Sequence, residues 1–134
     1  MKLEGSVIFE KLSREDSTSL QPIVSVKGLT KVFGQDPEKA LALHRSGCSK
    51  QEIHEETGET LALNNVSFEV MPGEIFVLMG LSGSGKSTLL RCINRLIDPT
   101  EGEILIDGED IVGMSQEELR ATRRRRLGMI FQNF

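Results

Sequence analysis

Cysteine is scarce in this sequence, and long apolar runs are missing. The only two cysteines, Cys48 and Cys92, form no CxxC pair and have no histidine at ligand spacing, so neither a disulfide framework nor a zinc site is implied. A reducing, cytoplasmic setting is expected. The longest apolar stretches, such as Ile75 to Met79 and Ile104 to Ile106, fall far short of the ~20 residues a membrane-spanning helix needs. The N-terminus mixes Lys2, Lys11 and Arg14 with Glu4, Glu10, Glu15 and Asp16 and offers no continuous apolar stretch, which argues against a signal peptide. Charge of one sign is lacking too: residues 1–60 and residues 61–134 each carry 8 basic and 10 acidic side chains. A nucleic-acid partner held by charge is therefore not expected. Neither a repeat nor a low-complexity tract is visible.

What is present is ordinary globular composition: 134 residues, 38% hydrophobic, 27% charged, net charge −4. A single domain of this size can bury roughly 65–70% of the surface its unfolded chain exposes. Residues 1–21 are polar without a sustained period and read as a loose tail. From Ile23 the alternation of Ile23, Val24, Ser25 and Val26, continued by Leu29, Val32 and Phe33, predicts a strand closed by Gly34. Residues 35–60 read as a helical insert. Pro37 suits the first turn of a helix over Glu38 to His44, stopped by Gly47. A second helix opens on Ser49 with Glu52 three residues on, a capping box, and ends at Thr57-Gly58. His44 and His54 lie in the insert and are expected in surface or packing roles.

Leu61, Leu63, Val66, Phe68 and Val70 then trace a strand, followed by a Pro72-Gly73 turn and the wholly apolar strand Ile75 to Met79, expected to be buried on both faces. Leu89, Leu90, Ile93, Leu96 and Ile97 recur at helical spacing up to Pro99. Ile104 to Ile106, Asp107-Gly108 and Glu109 to Val112 predict a hairpin. Ser115 and Glu118 form another capping box, opening a helix to about Arg126, and Leu127 to Phe131 reads as a last strand.

Between the apolar strand and the amphipathic helix lies Gly80-Leu81-Ser82-Gly83-Ser84-Gly85-Lys86-Ser87, extended by Thr88, which matches G-x-x-x-x-G-K-[ST] throughout. Chance produces that spacing in such a chain with a probability on the order of 0.005. The glycines let backbone N–H groups wrap a β-phosphate, and the helix N-terminus adds positive potential. Lys86 is expected to reach the β- and γ-phosphates, and the Ser87 hydroxyl to ligate Mg²⁺. Hydrolysis needs more, an acidic residue for the metal and a group that positions water. Asp107 follows an apolar run but precedes Gly108, so a hairpin turn explains it better. The run Arg120, Arg123, Arg124, Arg125 and Arg126 has no interleaved aromatics; it reads as a solvated helix end, or else a protein or nucleotide contact.

The stretch from Leu61 through the loop to Met129-Ile130-Phe131-Gln132 resembles the first part of an ABC transporter ATPase domain. The run into Arg91-Cys92-Ile93-Asn94-Arg95-Leu96 is similar to importer ATPases for small solutes. The insert, with Ser49-Lys50-Gln51-Glu52-Ile53 and Thr57-Gly58-Glu59-Thr60, resembles the glycine betaine/proline (quaternary amine) group. The likeness covers about residues 22–134. It implies an α/β P-loop fold in which an antiparallel β subdomain adjoins the loop-bearing strand and helix. It also implies binding of ATP and Mg²⁺, with Phe33 stacking on adenine and Gln132 sensing Mg²⁺ and the γ-phosphate and touching the permease region. From the residues alone, the alternative for Phe33 is a core aromatic and for Gln132 a polar strand end. Many ABC ATPases carry Tyr where Phe33 stands; Phe keeps the stacking face and loses the hydroxyl. The implied partners are a membrane permease and a second ATPase subunit, with a solute-binding protein reached indirectly, on the cytoplasmic face of the membrane. The family pattern continues beyond Gln132 with the LSGGQ signature, the Walker B Asp and its catalytic Glu, the D-loop and the switch His. None of these is in this sequence, so the chain is expected to be the N-terminal part of the domain, without the C-terminal half and inactive alone. The alternatives are a non-catalytic remnant that at best binds nucleotide and a subunit of an amino-acid-type importer.

Overall fold

The structure is a computed structural model and describes residues 8–12 and 21–131. In chain order the elements are β1 (Ile8–Leu12), β2 (Val24–Phe33), α1 (Pro37–Arg45), α2 (Lys50–Thr57), β3 (Thr60–Val70), β4 (Ile75–Met79), α3 (Lys86–Ile93), β5 (Glu101–Ile106), β6 (Glu109–Asp110) and α4 (Gln116–Arg126). An antiparallel sheet runs β3-β2-β5-β6, and β4 pairs with β1 in a separate two-stranded sheet.

Apolar residues at Val26 and Leu29, and again at Leu63 and Val66, are three apart, which would put members of each pair on opposite faces of a regular strand. The register resolves this. Val26 pairs with Phe68, Leu29 with Val66 and Lys31 with Leu63, so β2 and then β3 each take up one extra residue. Asn65 in β3 has φ 48° at that irregularity. All four apolar side chains are buried as a result. They meet Leu89 and Cys92 of α3, Ile104 and Ile106 of β5, Ile111 and Leu119 in one core.

A second core joins the insert to the end of the sheet: Ala40 and Leu41 of α1 and Ile53 of α2 pack on Val32 and Leu61. Fully burying a side chain such as Ile53 contributes about 1.5–3 kcal/mol. This burial docks α2 beside the Phe33–Thr60 pair of β2 and β3. The local signals of the insert are as expected, with Pro37 in the first turn of α1, the Ser49–Glu52 capping box on α2 and Gly58 as its left-handed C-cap.

Four expectations are corrected. Part of the stretch read as a loose tail is a strand: Ile8 to Leu12 run antiparallel to β4, with Ile8 opposite Met79 and Leu12 opposite Ile75. The charges of Glu10 and Lys11 obscure it in the sequence, and its partner supplies the backbone bonds that make it a strand. The β4 strand is not buried on both faces, because it lies outside the four-stranded sheet: Ile75 is 72% exposed, while Phe76 stacks on Phe68 with centroids 4.6 Å apart. Leu127 to Phe131 do not form a strand; they pair with no other strand among the described residues, and Ile130 and Phe131 are exposed. Finally α3 stops at Ile93 instead of continuing to Ile97, because the chain turns at Arg95, which has φ 51°. The Asp107-Gly108 hairpin is present, with both residues at positive φ.

Candidate functional site

The loop after β4 delivers the chain to the N-terminus of α3. Gly85 is the N-cap, at φ 97°, and a Cβ there would lie 2.9 Å from the Ala62 carbonyl oxygen. Only glycine lets the loop lie this close on β3. It also leaves the first-turn N–H groups without a side-chain cap. Those groups have no intrahelical acceptors and sit at the positive end of the helix dipole, so an anion is the partner they fit. The Lys86 ammonium donates to the carbonyls of Gly80 at 2.7 Å and Leu81 at 2.6 Å and to Ser84 Oγ at 3.0 Å. A cation is thereby clasped to the loop.

Over this loop opens a cleft of about 640 Å³. Ser82, Gly83, Ser84, Gly85, Lys86, Ser87 and Thr88 line it together with Phe33, Thr60, Leu61 and Ala62. Lys50 and His54 of α2 complete it. The volume lies within the ~300–1,000 Å³ usual for small-molecule pockets. The Lys31 ammonium lies 5.0 Å from the centroid of the Phe33 ring.

The backbone after Phe33 is held by Glu59, whose Oε1 accepts from the N–H groups of Gln35 at 3.2 Å and Asp36 at 3.1 Å. Glu59 is buried, and a Cβ on Gly34 would overlap its carboxylate. The glycine after Phe33 is therefore a requirement of close approach as well as a strand stop. Asp36 in turn caps α1 through the N–H of Lys39.

Of the residues singled out in the sequence, the structure brings Phe33 and the segment from Ser82 to Thr88 around one cleft. Gly80 and Leu81 stand behind it as acceptors for Lys86. Gln132 lies outside the described residues. Asp107 is in the β5–β6 turn, paired with Arg126 and away from the cleft. His54 is exposed and bonded to the Glu59 carbonyl, in keeping with its expected surface or packing role, and it also lines the cleft.

Lys50, Glu59 and Arg95 carry no role in the sequence, and Arg123 stands there only as part of the basic run; the two arginines shape the end of α3. Arg95 donates to the carbonyls of Ile111 and Met114, and Arg123 to those of Asn94 and Arg95. Arg123 is thus an anchor rather than part of a solvated helix end. No spacing signal could have exposed these partners, which are 16–29 residues apart for the arginines and 23–24 for Glu59.

Residues 63–134, more than half of the chain, match the family described as ABC transporter. The chain is 50% identical over 119 residues to the glycine betaine transport ATP-binding protein OpuAA of Bacillus subtilis (strain 168), covering 88% of this chain and 28% of OpuAA. It is also 50% identical over 111 residues to the glycine betaine/proline betaine transport ATP-binding protein ProV of Escherichia coli (strain K12), covering 83% of this chain and 28% of ProV. The chain therefore spans a little over a quarter of the length of these relatives. The dimeric bacterial ABC transporter cassette MJ0796 superposes with a TM-score of 0.58 at 30% identity, covering 81% of this chain and 38% of MJ0796. In a structure of MJ0796 bound to ADP and Pi the TM-score is 0.52. The chain belongs to the ABC transporter family and corresponds to the part of an ATP-binding cassette that carries the phosphate-binding loop.

Proposed function

We propose that the chain is the ATP-binding part of the energy-coupling subunit of an ABC importer for glycine betaine, proline or related quaternary amines. The observation that carries the nucleotide reading is the loop of residues 80–87 at the N-terminus of α3, most of which lines the same cleft as Phe33. In this reading the loop N–H groups and Lys86 hold the β- and γ-phosphates, and Phe33 stacks on adenine. Mg²⁺ would be held by Ser87 together with phosphate oxygens, as a small hard cation that keeps few protein ligands allows. Gln132 completes the metal side.

The solute class is supported by the breadth of the match. Identity to OpuAA and ProV extends over 83–88% of the chain, a span that takes in the helical insert as well as the loop. The partners that follow are a membrane permease and a second ATPase subunit, at the cytoplasmic membrane face, with the solute-binding protein across the membrane. No helix among the described residues is long and apolar enough to cross a membrane itself.

Titration of this chain with ATP and Mg²⁺ by calorimetry tests the nucleotide reading. Losing a charge-assisted hydrogen bond costs about 1.5–3 kcal/mol, so Lys86→Ala should weaken binding roughly 10- to 150-fold. Equal affinities would remove the loop from the site. The solute class is tested by a hybrid in which this chain replaces the matching segment of OpuAA: glycine betaine uptake should persist, and its loss with normal ATP binding would count against the quaternary-amine reading.

A further inference from the structure

The phosphate loop and Phe33 line the cleft, and so does α2, which phosphate-loop chemistry does not require. Lys50 and His54 are four residues apart, so they are neighbours on this helix, and both line the cleft, while Ile53 beside them is buried in the core. His54 stands at the aromatic end. Its Nδ1 lies 3.1 Å from the Glu59 carbonyl oxygen and 3.4 Å from Thr60 Oγ1, and Thr60 is the register partner of Phe33.

A carbonyl oxygen only accepts, so the bond to Glu59 places the imidazole hydrogen on Nδ1. In the neutral ring Nε2 is then an acceptor, held in a fixed orientation by the bond on its far side. The Lys50 ammonium, one turn earlier, has no partner among the described residues. An acceptor and a donor on one helix face, beside an aromatic ring, suit a group that has hydroxyls, ring nitrogens and a flat base.

Resting on the nucleotide reading above, we propose that α2 grips the nucleoside end of the bound nucleotide. His54 Nε2 accepts from a ribose hydroxyl or a base amine, and Lys50 donates to nucleoside oxygens. The insert is then part of the binding site and not only a packing unit on the edge of the sheet. Phosphate recognition stays with the loop, so the two ends of the ligand are separable by experiment.

The test is calorimetric titration of this chain with MgATP and, separately, with inorganic triphosphate, for wild type, His54→Asn, His54→Ala, Lys50→Ala and Lys86→Ala. His54→Asn keeps an N–H near the position of Nδ1, so the bond to the Glu59 carbonyl survives while Nε2 is removed. Both His54 variants should weaken ATP binding roughly 3- to 10-fold, and Lys50→Ala by a similar factor, with triphosphate binding unchanged. Wild-type ATP affinity in His54→Asn with a loss only in His54→Ala would assign the histidine a structural role and overturn the proposal. So would equal losses for ATP and triphosphate. If Lys86→Ala weakens ATP while His54→Asn and Lys50→Ala do not, this proposal fails and the nucleotide reading stands. If Lys86→Ala has no effect, both fall.

Discussion

Phe33 ends β2 and is 40% exposed, which is large for an aromatic at a strand end beside a packed core. Lys31 occupies one face and the cleft lies against the ring. If the ring stacks on a base, Phe33→Ala should weaken both ATP and GTP while leaving inorganic triphosphate unaffected, because the phosphate loop is untouched. Competition titrations with the three ligands check this, and an equal loss for all would mean a folding role. Glu59 supports the same corner from beneath. Glu59→Ala removes the acceptor of the N–H groups of Gln35 and Asp36, at about 0.5–1.5 kcal/mol each, whereas Glu59→Gln keeps a carbonyl in reach. Thermal melts should show the alanine variant clearly less stable than the glutamine one. Similar melting points would show that water or another group takes over. At the other end of the polarity scale, Cys92 is fully buried, and burial pushes its thiol pKa up, so it stays protonated and unreactive in the folded chain.

Two elements, α2 and α4, begin with the same device. Ser49 and Glu52, and Ser115 and Glu118, exchange side-chain and backbone bonds across the first turn. The bonds from Ser49 hold the Glu52 carboxyl below its usual pKa, and those from Ser115 do the same for Glu118. A carboxyl whose pKa is depressed on folding contributes stability above its unfolded pKa and loses that contribution as the pH falls through the folded one. Stability should therefore fall on acidification below the ordinary glutamate range. Glu118→Gln should flatten that acid limb in melts recorded across the pH range; an unchanged slope would mean that the boxes contribute nothing to it. The end of α3 depends on contacts from outside the helix. Arg123 spans from α4 to the carbonyls of Asn94 and Arg95, and hydrogen bonds to a charged group are worth about 1.5–3 kcal/mol. Arg123→Ala should lower the melting temperature, whereas Arg124→Ala, at an exposed position of the same helix, should not.

At the scale of the molecule, the cleft has no carboxylate in its lining among the described residues. Phosphoryl transfer to water needs the metal stabilised and the attacking water oriented, and Asp107 is held away in its hairpin by Arg126. Purified alone, this chain should bind nucleotide but not turn it over. Steady-state phosphate release from wild type and Lys86→Ala in parallel checks this. Turnover of ~1 per minute or faster in wild type only would mean a carboxylate reaches the site, with Asp107 first in line. The β4 strand adds a second whole-chain property. It pairs with β1 on one side, and among the described residues its other edge has no strand neighbour, while Ile75 at its start is 72% exposed. An apolar open edge invites association. The chain should self-associate with rising concentration in sedimentation experiments, and Ile75→Lys should reduce this without altering ATP affinity.

Features written within a few neighbouring residues are legible without the fold. The loop of residues 80–87, the two capping boxes, the Asp107-Gly108 turn, Pro37 at the start of α1 and Gly58 at the end of α2 rest on stereochemistry that a side chain and its next few neighbours supply. Only the tertiary structure decided which of these pieces face one another. The bulges that place Leu29 and Leu63 in the core, the packing of Ile53 that brings His54 and Lys50 to the cleft, and the reach of Glu59 to the backbone after Phe33 depend on register and burial summed over the chain. The same holds for strand identity. Ile8 to Leu12 became a strand because β4 offered a partner, and Leu127 to Phe131 did not because no partner lay beside them among the described residues. A helix closes its hydrogen bonds within its own sequence, but a strand closes them only against another segment, so its existence is settled by what the fold brings alongside.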